Sequence, residues 1–388
     1  MNIYMKRQTY ITLVAILLAA VWAVGCAGTQ VEVKEPTAQA GQAEHPEKYA
    51  TLGDHLPQRG QPTPLQLKNG GDETVTEDNF IVAESDKYFF EQQSFLRLNE
   101  FKHDPNLVTP DTQTVVRQNR DTMYSKGVFD TSGGVYFELP ILDTYLSVQV
   151  IDENHRTITV LYAEEGQNTA TITPDMLSFG THVWVILRVQ VESMAEADIA
   201  KGREMQRMVI ARAAESTPYK PKGFEQHSRE QVRLEQEKRI LEVDFTKAFG
   251  GPNLERIDPM HAMWATSIGF GGFPSEHAYY IPLVAADRSG ACQTMTFKAP
   301  PLRAKGFTSI TTYGPDAYIH AYNYAISDRK GELQPNEDGS YTVNFNCEGA
   351  INNLDVVENW TGIYRMYLPH SVEGIVEYGK TVQMPHHP

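Results

Sequence analysis

Hydrophobic spacing changes period three times along this chain. Ile81, Tyr88 and Phe95 recur every seven residues behind Thr74-x-x-Glu77, a capping-box pattern, and together they predict a helix with one buried face. That helix should fade near Asn99, ahead of Asp104-Pro105. From Thr112 to Val191 the period falls to two. Tyr145 to Asp152 and Thr157 to Tyr162 read as strands, and Val183, Val185, Leu187, Val189 and Val191 share one side of a half-buried strand. Residues 194–249 return to helical spacing, with Met205, Met208 and Val209 as one apolar patch. Leu234, Leu241, Phe245 and Ala248 form a second patch, and Arg and Glu crowd the opposite faces as solvated surface. Gly250-Gly251-Pro252 ends that stretch. Beyond it the chain is strand-like again at Ala291–Lys298, Phe307–Tyr313, Tyr341–Phe345 behind the Asp338-Gly339 turn, and Gly362–Leu368.

These patterns predict a mainly β protein with a helical subdomain between two β regions. The expected segments are residues 1–25 as a leader, 26–72 as a tether, 73–192 as a helix plus β-sandwich, 193–252 as helical, and 253–388 as a second β domain. Composition agrees: of 388 residues, 41% are hydrophobic and 21% charged, which supplies a core and excludes wholesale disorder. The formal net charge of −15, with no basic stripe to offset it, excludes nucleic acid as a partner.

At the start of the chain, Lys6 and Arg7 precede an apolar run from Ile11 to Val24, which ends in Ala23-Val24-Gly25-Cys26. The run is too short to cross a bilayer and has the order of a secretory leader. Small residues directly before Cys26 resemble the lipobox of bacterial lipoproteins. That resemblance implies cleavage before Cys26, acylation of its thiol and a membrane partner reached through the lipid. It also implies a place in the bacterial cell envelope, at the outer membrane, since Ala27 rather than Asp follows. Plain cleaved secretion is the alternative. Residues 27–72, rich in Gln, Pro, Gly, Glu and Ala, read as a spacer. Cys292 and Cys347 remain; they are either a disulfide of an oxidising compartment or two buried thiols.

Three stretches carry a further resemblance. They are Val115 to Ser125 (VVRQNRDTMYS), Tyr145 to His155 (YLSVQVIDENH) and Gly271 to Tyr280 (GGFPSEHAYY). In this order they resemble the bacterial domain-of-unknown-function 1254 family joined to its C-terminal partner domain, 1214, over roughly Thr76 to Leu368. The resemblance implies an N-terminal immunoglobulin-like β-sandwich, a small helical section and a C-terminal jelly-roll. It implies no activity, because none is assigned to the family.

Candidate chemistry is sparse. No G-x-S-x-G, H-E-x-x-H, G-x-G-x-x-G or P-loop pattern occurs, and no cofactor signature is present. Arg117, Asn119, Arg120, Asp121 and Tyr124 form the densest polar cluster. Guanidinium groups match carboxylates or phosphates, and Asn orients hydroxyls or amides, so in a cleft this set would hold a small polar or anionic ligand. On that reading Arg120→Ala should abolish binding. A structural Arg120–Asp121 pair is the alternative. Asp152, Glu153 and His155 leave a strand together and are candidates for proton transfer, or for a metal if His182 or His277 joined them. The alternative is a polar turn, and no metal set is legible. Glu276, His277, Tyr279 and Tyr280 form a weaker third group. Two functions remain open: an envelope protein that binds, or binds and transforms, a small polar or anionic ligand, and a non-catalytic interaction or scaffolding lipoprotein.

Overall fold

The computed structural model describes residues 71–388 apart from 96, 251–253, 285, 286, 288 and 330. The leader, Cys26 and residues 27–70 of the expected tether lie outside the described residues. None of the described helices is long and apolar enough to cross a membrane.

In chain order the strands are β1 (Lys102–His103), β2 (Met123–Asp130), β3 (Val135–Glu138), β4 (Leu146–Asp152), β5 (Thr157–Tyr162), β6 (Thr169–Ile172), β7 (His182–Val189) and β8 (Ile210–Ala213). There follow β9 (Ala278–Val284), β10 (Gln293–Phe297), β11 (Thr308–Tyr313), β12 (Ala325–Ser327), β13 (Tyr341–Phe345), β14 (Asn353–Leu354) and β15 (Thr361–Tyr367). The helices are α1 (Phe80–Phe95), α2 (Glu196–Met208), α3 (Gln226–Glu237), α4 (Pro259–Ile268) and α5 (Val372–Gly379). Four open sheets result, ordered β1-β2-β7-β4-β5, β6-β3-β8, β12-β11-β15-β9 and β10-β13-β14. Every named pair is antiparallel except β13–β14.

The period of two explains how these sheets layer. In β7, Val183, Val185, Leu187 and Val189 pack with Val135 and Phe137 of β3 and with Ile172 of β6, so the first two sheets share one core. In the C-terminal half, Ile281, Ile310, Tyr364 and Met366 meet Met295, Phe297, Val343 and Phe345, so the last two sheets share another. A third cluster joins the halves: Tyr145 and Tyr162 pack with Phe273, Phe307 and Tyr367. Tyr367 and Phe307 stack at 4.3 Å between ring centroids.

Several expectations are corrected. Strand β7 is buried on both faces, because Trp184, Ile186 and Arg188 on its second side are covered by the Phe270 turn and by α1. Helix α1 begins at Phe80, beyond the Thr74–Glu77 pattern, and is buried nearly all round rather than on one face. The expected helical subdomain is interrupted by β8, which pairs with β3. Met208 and Leu241, assigned to apolar patches, are exposed.

The largest reversal concerns α3. Its Arg and Glu residues were expected in solvent, yet Arg229, Glu230, Arg233 and Glu237 are buried. Arg229 pairs with Glu84 of α1, Arg233 with Glu230 and Glu237, and Arg117 with Glu237 at 2.7 Å. Each buried charge is thereby matched by an opposite one, the condition under which such groups can leave water. Cys292 and Cys347 are bonded, fastening the start of β10 to the end of β13.

Candidate functional site

A cavity of about 120 Å³ lies between the first and third sheets. Its floor and roof follow from strand parity. Tyr124 and Lys126 of β2 and Trp184, Ile186 and Arg188 of β7 project from one sheet. Tyr280 of β9 and Ile363, Arg365 and Tyr367 of β15 project from the other. Phe245, Phe249 and Ile268 close one side, and the Gly269–Phe273 turn closes another. By the volume one water takes in the liquid, the cavity holds about four waters.

The turn is stapled at three points. His155 Nε2 accepts the Gly271 N–H at 2.9 Å, Arg188 Nη2 donates to the Gly271 carbonyl at 2.7 Å, and Gln149 Nε2 donates to the Gly272 carbonyl at 3.0 Å. Gly271 has φ +79°, and a Cβ there would collide with Ile186 Cδ1. At Gly272 a Cβ would strike the Phe249 ring. The two glycines therefore let backbone pack directly against Ile186 and Phe249, where a side chain has no room.

Positive charge collects around the space. Arg188 donates from Nη1 to Gln149 Oε1 at 2.9 Å, and its guanidinium lies 4.1 Å from the centroid of Phe273. Arg365 donates from Nη2 to the Arg117 carbonyl at 3.0 Å and to the Tyr313 hydroxyl at 2.8 Å, but its buried Nη1 has no partner. Burial works against its charge, while the Tyr313, Asp121 and Tyr367 side chains hold its pKa above the ordinary arginine value. Arg117 is neutralised by Glu237, and Lys126 by Asp104 at 3.5 Å. Among the described residues, no carboxylate is in ion-pair contact with Arg188 or Arg365, although both are buried.

The hydroxyls divide differently. Tyr124 donates to Asn119 Oδ1 at 3.0 Å, and Tyr367 donates to Asp121 Oδ2 at 2.8 Å. Tyr280 instead accepts the Phe273 N–H at 2.8 Å, so its own proton is uncommitted. Burial raises the Tyr280 pKa and keeps that proton in place.

Of the cluster read from sequence, Arg117, Asn119 and Tyr124 line the cavity, and Arg120 and Asp121 do not. Arg120 turns to the Ala325 carbonyl and Glu332, so it is no longer the residue whose loss should abolish binding. Asp121 is the buried acceptor for Tyr367. Arg117 holds φ +52°, a left-handed conformation costing roughly 1–2 kcal/mol, with its carbonyl clasped by Tyr313 and Arg365.

The second cluster is structural. Asp152 accepts the N–H groups of Asn154, Arg156 and Ser178. Glu153 accepts those of Thr181 and His182 and pairs with Lys222. Burial opposes the Glu153 charge, but bonds from His182 and Lys222 bring its pKa down to about 2. His155 sits behind the turn, stacked 4.2 Å from Phe270, and burial lowers its pKa to about 3, so it is neutral. Its second nitrogen, Nδ1, meets Thr266 Oγ1 at 2.8 Å. None of the three reaches the cavity, and among the described residues no three metal-binding side chains are grouped. From the third set only Tyr280 lines it; Glu276 pairs with Arg256, and His277 bonds the Tyr162 hydroxyl.

Sequence reasoning missed Arg188 and Arg365. The signal was present: each is a single cation inside an otherwise apolar strand, HVWVILRV and TGIYRMY.

Residues 98–212 match the model of the DUF1254 family, a protein of unknown function. The DUF1254 segment thus supplies the wall that runs from Val115 to Lys126 and from Trp184 to Arg188, and the facing wall lies outside it. No curated protein matches the chain significantly. Among solved structures, the VPA0106 protein of Vibrio parahaemolyticus is similar, at 18% identity and a TM-score of 0.57, over 83% of this chain and 98% of that one. A putative uncharacterized protein of Burkholderia cenocepacia aligns over 83% of this chain and 93% of its own, at 14% identity and a TM-score of 0.43. The Vibrio likeness bears on the fold alone.

Proposed function

We propose that this chain binds a small anionic ligand in the cavity between its two large sheets. One observation carries the reading: among the described residues, two buried guanidiniums, Arg188 and Arg365, border one cavity without a carboxylate in ion-pair contact, and Arg365 Nη1 has no hydrogen-bond partner. Asp121 favours the Arg365 charge without contacting it, and an anion entering the cavity would pair with it directly. Arg117, Asn119 and Tyr124 serve as supports. Arg117 positions Arg365 through its carbonyl, and Asn119 holds the Tyr124 hydroxyl.

The wider setting is also a proposal. The leader pattern ahead of Cys26 supports an exported protein held at the envelope by acyl chains. The Cys292–Cys347 bond supports the same setting, since disulfides persist in oxidising compartments. The two-layer pairing of sheets supports an immunoglobulin-like N-terminal half and a jelly-roll C-terminal half of the 1214 type.

The test is calorimetric titration of the purified chain with small carboxylates and inorganic phosphate, repeated on Arg365→Met. Saturable binding that is lost in the variant is expected. A panel that binds equally well to both proteins refutes the reading.

A further inference from the structure

We infer that the ligand is an aromatic monocarboxylate built on a single ring, held at its carboxylate by Arg365 and Tyr280. This rests on the anion-binding reading above and narrows it.

The donor pair beside the rings selects a carboxylate. Each terminal nitrogen of Arg188 already donates one hydrogen bond, to Gln149 and to the Gly271 carbonyl, which ties its guanidinium to the turn. Arg365 retains Nη1, and Tyr280 retains its hydroxyl proton. These two residues are direct cross-strand partners on β15 and β9, so their side chains leave the sheet together on one face. Two free donors side by side match the two oxygens of one carboxylate. A phosphate brought to the same place would turn its further oxygens against the rings of Phe245 and Phe249 beside Tyr280. Arg188 contributes charge and, through Phe273 at 4.1 Å, a flat boundary.

The remaining wall selects the body. Phe245, Phe249 and Tyr280 form a contiguous ring array, with centroids 5.5 Å apart for Phe245–Tyr280 and 6.2 Å for Phe249–Tyr280. Trp184, Phe270 and Phe273 continue it. The side-chain-free Gly271 and Gly272 let the turn lie directly against Ile186 and Phe249, which holds these rings in place. Edge-to-face contacts with two such rings give an aromatic ligand about tenfold over an aliphatic one of equal size. A cavity of about 120 Å³ is on the scale of a single benzene-sized ring, and that sets the size.

The experiment is isothermal titration of the full chain with benzoate, cyclohexanecarboxylate, benzamide and inorganic phosphate. It is repeated on Arg365→Met and on Tyr280→Phe, the latter keeping the ring and removing only the hydroxyl. Benzoate is expected to bind at least tenfold more tightly than cyclohexanecarboxylate, with no detectable heat from benzamide or phosphate. Arg365→Met should weaken benzoate by a hundredfold or more and Tyr280→Phe by about tenfold. Circular dichroism establishes folding, and if Arg365→Met does not fold, Tyr280→Phe decides. Equal binding of the two carboxylates, with the loss in the variants intact, overturns the aromatic inference and leaves the anion site standing. Preference for phosphate overturns the carboxylate assignment in the same way. Carboxylate binding that is absent, or indifferent to both substitutions, overturns this inference and the anion reading together.

Discussion

Replacing Glu237 with Gln removes a charge that two arginines share. Glu237 is buried, and accepts from Arg117 Nη2 through Oε1 at 2.7 Å and from Arg233 Nη1 through Oε2 at 3.0 Å. Gln keeps the shape but turns one acceptor into a donor facing a cation. Removing one partner of a buried pair costs about 3–5 kcal/mol, because the surviving charge stays buried. Arg233 retains Glu230 and is partly protected, whereas Arg117 retains only the Ile268 carbonyl among its side-chain acceptors. The expected loss is therefore about 4 kcal/mol, borne mainly at Arg117. The assay is urea unfolding followed by far-ultraviolet circular dichroism, with Glu242→Gln as the internal control. Glu242 pairs with Arg239 at 3.0 Å on the surface, and its loss should change stability by less than about 1 kcal/mol. If Glu237→Gln also costs less than about 1 kcal/mol, the α3 charges are hydrated and their assignment to the interior is wrong.

His155 supplies a pH test. Its folded pKa, about 3, lies below the ordinary histidine value, so the unfolded chain binds the extra proton first and stability falls as pH drops from about 6.5 toward 3. The contribution is on the order of 4 kcal/mol, and His155→Gln should flatten that limb of a stability–pH profile measured by urea midpoint. Gly271→Ala should cost at least 2 kcal/mol and abolish ligand heat in calorimetry, because the new methyl meets Ile186 at a left-handed backbone position. Reducing Cys292–Cys347, which closes a separation of 55 residues, should lower stability by about 4 kcal/mol in the chain-entropy description, read by denaturant unfolding with and without reductant. Arg120→Ala should leave ligand affinity unchanged within a factor of two by titration, since Arg120 turns away from the cavity to Glu332.

Strands were the legible part of the fold. The alternation in Val183–Val191 placed β7 and told which side met a core, because a period of two leaves no choice of face. What it could not tell was the fate of the other side. Trp184 and Ile186 are apolar enough to be covered, and the cover comes from Phe270 and Tyr219, distant in sequence. The α3 charges failed for a related reason. Charge at helical spacing looks the same whether its partners are water or Glu84 from another helix. Part of the candidate site was readable at Arg117, Asn119 and Tyr124, since their density of polar groups beside strands is unusual. Arg120 carried the same local signal and misled, because one residue along a turn reverses the direction of a side chain. The unpaired cations Arg188 and Arg365 stand 177 residues apart in numbering and only the pairing of sheets brings them to one space.

The bond from Arg365 Nη2 to the Arg117 carbonyl spans 248 positions of chain. A ribosome must therefore finish β15 before the cavity has its second wall, although the DUF1254 segment that builds the first wall has long emerged. Contacts of such separation pay loop-closure entropy late and form slowly. Arg188 must consequently wait for seconds without the facing wall, at synthesis rates of about 5–20 residues per second, although α1 and the Phe270 turn that cover Trp184 and Ile186 are already made. A strand that must wait for its facing wall is better guarded by a charge than by another apolar residue, and Arg188 stands at that position.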